Sequence, residues 1–149
     1  MNATHFRDLD VWRVAMELTR RIYELVAGFP KEERYGLTAQ LQRAAVSIPS
    51  NVAEGNARQS VREYARFVSI ASGSVAEVQT QLLLTIELGL ADQGSVDPVL
   101  DLAERVSKML YRLRQSLERN ANCGSRVPGP GSRTASPGSR VSEDFEEYL

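Results

Sequence analysis

Arg58, Arg62 and Arg66 recur at intervals of four, and Arg34 and Arg43 precede them. Residues 34–66 set these five arginines against only Glu54 and Glu63. Four-residue spacing puts side chains on one face of a helix. Guanidinium groups so arranged meet phosphates as forks, so the chemistry on offer is contact with a nucleic-acid backbone. The same residues also fit a solvated face, because Glu54 stands four before Arg58 and can pair with it. A second set, Arg43, Ser47, Asn51, Glu54 and Arg58, is a polar row at helical spacing beside apolar positions. Such a row can fix register between helices or between subunits. Reaction chemistry finds little material. His5 is the only histidine, with no paired base, nucleophile or metal ligand near it in the chain, and a single cysteine, Cys123, excludes an internal disulfide. The dinucleotide fingerprint, the P-loop, the GxSxG elbow and the HExxH zinc motif are all missing, as is the ExxH repeat of di-iron bundles. The expectation is a non-enzyme with no catalytic, metal or cofactor-binding residues.

Two helices and a turn must hold these side chains. Leu37, Leu41, Ala44, Ala45, Ile48 and Val52 recur at three and four, predicting a helix over about 36–55. Pro49 falls inside it, removes a backbone donor, leaves the Ala45 carbonyl without its usual partner and should kink the helix. Gly55-Asn56 suits a left-handed C-terminal cap. Ser60-Val-Arg-Glu63 reads as a capping box that starts the next helix. Tyr64, Val68, Ala71, Val75, Val78, Leu82 and Thr85 carry its seam to about residue 88. Within it, the small run Ala71-Ser72-Gly73-Ser74 lets another backbone approach closely, from the same bundle or from another copy.

The run Arg43-Ala-Ala-Val-Ser-Ile-Pro-Ser-Asn-Val-Ala-Glu-Gly55, preceded by Tyr35-Gly-Leu37 and Gln40, resembles the central signature of the 23S rRNA-intervening-sequence proteins. The likeness continues through Arg58, Ser60, Glu63-Tyr64, Phe67, Gly73-Ser74 and Glu77. Upstream, Phe6, Asp8-Leu9, Val11-Trp12, Tyr23 and Phe29-Pro30 fit the family's opening. The resemblance implies a small bacterial four-helix bundle that forms homopentameric rings. It also implies kinship with the accessory variability determinant of diversity-generating retroelements, which binds nucleic acid together with a reverse transcriptase. The partners expected are thus the chain itself and, as an alternative, RNA or DNA with a reverse transcriptase.

The remaining segments fit that architecture. Trp12, Ala15, Met16, Thr19, Ile22, Tyr23 and Val26 mark the buried stripe of a first helix over about 8–28, capped by Asp8 or Asp10. Lys31–Arg34 is a solvated connection. Asp97-Pro98 reads as cap and first residue of a fourth helix, and Val99, Ala103, Val106, Leu110, Leu113 and Leu117 extend it to about 120. Residues 1–120 are therefore expected to form an all-α, up-down-up-down antiparallel four-helix bundle. Residues 121–149 are expected to be a disordered tail. In it Gly-Ser-Arg recurs at a spacing of seven, at 124–126, 131–133 and 138–140, before the acidic stretch Ser142–Leu149. A net charge of −1 marks no global field toward nucleic acid or membrane. The chain shows no signal-peptide pattern and no segment of eighteen apolar residues, so a cytoplasmic location is expected.

Overall fold

Three- and four-residue apolar spacing becomes four helices in the computed structural model, which describes residues 5–123. Helix α1 spans Asp10–Val26, α2 Leu37–Asn56, α3 Val61–Glu87 and α4 Gln93–Cys123. Short 3-10 turns at Phe6–Asp8 and Lys31–Glu33 precede α1 and α2. Each helix packs on its neighbours in sequence, α1 closes against α4, and among the described residues neither diagonal pair, α1 with α3 or α2 with α4, comes into close backbone approach. Together with the short connections, this gives the expected antiparallel up-down-up-down bundle. Leu18, Ile22, Leu41, Ile48, Leu82 and Leu110 are fully buried at its centre. The expected tail lies outside the described residues, except that residues 121–123 belong to α4 rather than to a tail.

Helix ends depart from expectation for physical reasons. The α2 helix does not finish on a left-handed Gly55-Asn56 cap: Gly55 is buried within the helix, and the capping residue is Ala57 with right-handed φ −76°. Glycine is needed at 55 for closeness instead. A Cβ there would come within 2.8 Å of Phe67 Cβ and of Tyr64 Cδ2 on α3. The left-handed cap belongs to α3. There Gly89 takes φ 67°, its N–H donates to Ile86 O at 3.0 Å, and Leu90 N–H donates to Thr85 O at 3.0 Å. Helix α4 starts four residues before Asp97. Asp92 is its cap, accepting from Ser95 N–H at 3.1 Å and from Ser95 Oγ at 2.7 Å. That contact holds the Asp92 carboxyl below its usual pKa. Pro98 then sits in the second turn, where the carbonyl it leaves unpaired, Gly94's, belongs to an exposed residue.

Pro49 stays inside a helix that runs from Leu37 to Asn56. The Ala45 carbonyl that it deprives of a donor accepts instead from Thr19 Oγ1 on α1, at 3.0 Å. The same hydroxyl lies 2.9 Å from Ala15 O, so its one proton is shared between an α1 and an α2 carbonyl.

Candidate functional site

The α2–α3 turn carries the predicted cations. Ser60 caps α3 by accepting from Glu63 N–H at 3.3 Å, and this sets the rotation of the first turn. Arg62 and Arg66 are exposed on it. Arg58 reaches back to Glu54 Oε1 at 2.7 Å and lays its guanidinium 4.9 Å from the Phe67 ring centroid. Arg66 approaches the same ring at 5.9 Å. The structure thus gathers Arg58 and Arg66 at Phe67, with Arg62 one turn away. Arg58 is already committed to a carboxylate, while Arg62 and Arg66 have no ion pair among the described residues. Arg43 is not part of this group. The Ser47–Ser74 contact sets the α2–α3 register, so Arg43 lies about level with Val78, roughly 18 Å up the bundle from Arg66 at 1.5 Å per residue.

The polar row divides into two uses. Asn51 Nδ2 donates to Ser47 O at 2.7 Å and to Ser47 Oγ at 3.0 Å. Ser47 and Ser74 hydroxyls lie 2.7 Å apart, and Ser74 Oγ donates to Ile70 O at 3.3 Å. With Ser47 as the donor to Ser74, every proton in the chain points the same way, from α2 into α3. The Ser47–Ser74 contact joins α2 to α3 within one bundle. In the small run, Ser74 is spent on this contact and Ser72 Oγ donates to Val68 O at 3.0 Å. Gly73 is exposed, and a Cβ there would meet nothing within 4 Å.

An outward apolar face runs along α1 and α2. The buried side of α1 is Val11, Ala15, Leu18, Ile22 and Val26. Met16 and Tyr23, expected inside, are each 45 % exposed, and Val46 on α2 is 43 % exposed. The Thr19–Ala45 bond gives the register: Met16 is one turn from Thr19, and Val46 follows Ala45 toward the same end of the bundle. Half-buried Trp12 continues this face, with Phe6 edge-on at 5.3 Å. The signal for this face is a second series, Trp12, Met16, Thr19 and Tyr23, set one position on from the core series Val11, Ala15, Leu18 and Ile22.

Between α1 and α4 runs an open groove of about 640 Å³ with Leu25, Val99 and Leu102 in its lining. Its rim mixes Glu17, Arg21 and Arg105, and Glu17 is engaged by Arg20 and Arg21. Among the described residues no group of three His, Cys, Asp or Glu is placed to hold a metal ion, and no helix is long and apolar enough to cross a membrane. His5 caps the first 3-10 turn, its Nδ1 accepting from Arg7 N–H at 3.3 Å. Cys123 is an exposed free thiol. A further cationic series, Arg105, Arg112 and Arg119 on α4, escaped the sequence reading, although its spacing of seven was visible.

The family model of the 23S rRNA-intervening sequence proteins matches residues 7–112. The crystal structure of a protein of unknown function from the S23 ribosomal protein family of Bacteroides thetaiotaomicron superposes with a TM-score of 0.64 at 19% identity. The match covers 70% of this chain and 98% of that one. At that identity the likeness is one of fold. No curated protein matches the chain.

Proposed function

The chain belongs to the 23S rRNA-intervening sequence protein family, and on that premise we propose that it is a non-enzymatic bundle that self-associates, into a homopentamer, and serves as a binding or scaffold module. The observation that carries this reading is the outward face of Met16, Tyr23 and Val46 beside Trp12. Large apolar side chains clustered on one face, rather than scattered singly, mark a contact surface. Exposed Gly73, on α3 of the same bundle, leaves room for a neighbouring backbone. Native mass spectrometry of gently purified protein tests the proposal. A pentamer mass that collapses to monomer in Met16→Glu/Val46→Glu, with helical circular dichroism retained, is the expected result. A monomer before any substitution overturns it.

A second reading is an accessory factor that binds RNA or DNA alongside a reverse transcriptase. It is favoured by exposed Arg62 and Arg66 at the α2–α3 turn, free of ion pairs among the described residues. It requires RNA affinity that falls steeply with salt and a shallower salt slope in Arg62→Ala/Arg66→Ala. Affinity indifferent to salt removes this reading.

A further inference from the structure

Three adjoining shallow concavities run along the outer side of α4 from Asp101 to Asn122. Arg105, Lys108, Arg112 and Arg119 line them, with Tyr111 and Gln115 between. Two of the three carboxylates in this part of α4 are already engaged: Glu104 by Lys108 and Glu118 by Arg114, each at 2.8 Å. Asp101 alone is left. Arg105, Arg112 and Arg119 have no ion pair among the described residues. The furrow is therefore a cationic strip with an aromatic side chain in it, about 21 Å long from Arg105 to Arg119 at the helical rise.

We propose that this furrow binds an acidic, aromatic-bearing extended peptide, and that its occupant is the chain's own segment 142–149. That segment carries Glu143, Asp144, Glu146 and Glu147 without a cation, together with Phe145 and Tyr148. Eight extended residues span about 26 Å, which matches the strip. The tether also fits. Eighteen residues, 124–141, separate Cys123 from the segment. Eighteen residues reach at most about 60 Å. Along α4, Arg119, Arg112 and Arg105 lie roughly 6, 17 and 27 Å from Cys123. The whole strip is thus within reach of the segment, and tethering makes its docking intramolecular. Self-docking covers the α4 cations and makes any phosphate polymer compete for them. The inference is independent of the self-association reading.

The test uses a fluorescein-labelled peptide of sequence 142–149 and the full chain. In the variant Glu143→Gln/Asp144→Asn/Glu146→Gln/Glu147→Gln the furrow is uncovered. Anisotropy should show saturable binding at low salt, at least threefold tighter than to the unaltered chain, with the difference lost near 0.5 M salt. Adding Arg112→Glu/Arg119→Glu to the neutralised variant should abolish binding while circular dichroism stays helical. Failure of the peptide to bind the neutralised chain overturns the proposal. So does equal binding to both chains, or binding that survives the arginine substitutions. A short single-stranded RNA that binds through Arg112 and Arg119 equally in the unaltered and neutralised chains assigns the furrow to phosphate instead.

Discussion

Thr19 shows how much one hydroxyl decides in this bundle. Pro49 breaks an internal hydrogen bond of α2, and the orphaned Ala45 carbonyl is satisfied only because Thr19 stands opposite it on α1. Replacing Thr19 by Val keeps the shape and leaves that carbonyl unpaired, at a cost of about 1–3 kcal/mol. Pro49→Ala restores a backbone donor, so the loss from Thr19→Val should shrink in the double variant; urea denaturation of the four proteins measures the coupling. Additive losses would mean that the hydroxyl serves Ala15 alone. The orphan carbonyl was legible from the sequence, since proline's chemistry is local. Its partner was not, because nothing in the chain says which residue of α1 faces Ala45. Glycines divide in the same way. Gly55→Ala should destabilise by about 1–3 kcal/mol through collision with Tyr64 and Phe67. Gly73→Ala, with open space around it, should stabilise an isolated bundle by up to about 1 kcal/mol. Thermal melts of the two should move in opposite directions.

At the scale of elements, periodicity places a helix more firmly than it sets the helix's rotation. Each of the four helices was legible, and so was their antiparallel order, since apolar spacing and short connections are properties of the chain itself. Two parallel apolar series on α1 compete for the interior, and the one containing Leu18 wins. The expected stripe merges the two, taking Ala15, Ile22 and Val26 from the buried series and Trp12, Met16, Thr19 and Tyr23 from its neighbour, and so puts Met16 and Tyr23 inside. Helix starts mislead similarly. Asp97-Pro98 has the right residues, but Asp92 with Ser95 caps α4 earlier. The α2–α3 junction yields a pH dependence. Tyr64 on α3 is tucked against Gly55 of α2, and burial pushes its phenol pKa up, with Asn56 offsetting part of the shift. Its hydroxyl makes no well-formed hydrogen bond. As pH rises past about 10, the unfolded chain gives up this proton before the folded one does. Stability is then complete below pH 10 and declines above it. Tyr64→Phe should flatten that alkaline limb in urea midpoints taken between pH 8 and 11; an unchanged limb would assign it to other groups.

For the whole molecule, net charge conceals arrangement. Residues 1–120 balance fifteen cations with fifteen anions, yet the α2–α3 turn and the α4 furrow each present arginines that have no carboxylate partner among the described residues. The first group was legible because its members are near in sequence and share a spacing of four. The second was visible as a spacing of seven, but its significance depends on which neighbouring acids are already engaged, and only the folded chain shows that. The surfaces proposed for self-association and for RNA contact are different, so the two readings separate experimentally. Met16→Glu/Val46→Glu should change mass without altering RNA affinity per chain. Arg62→Ala/Arg66→Ala should change the salt slope without altering mass. A variant that moves both would show the two surfaces to be coupled.

The chain has one tryptophan, and Trp12 stands half-buried at the edge of the outward α1–α2 face beside Phe6. It is therefore a built-in optical reporter on that surface. Dilution that uncovers the face should shift Trp12 emission to the red while far-ultraviolet ellipticity holds. Unfolding should move both signals together. Emission that ignores concentration across the range where the mass changes would place the contact elsewhere on the bundle.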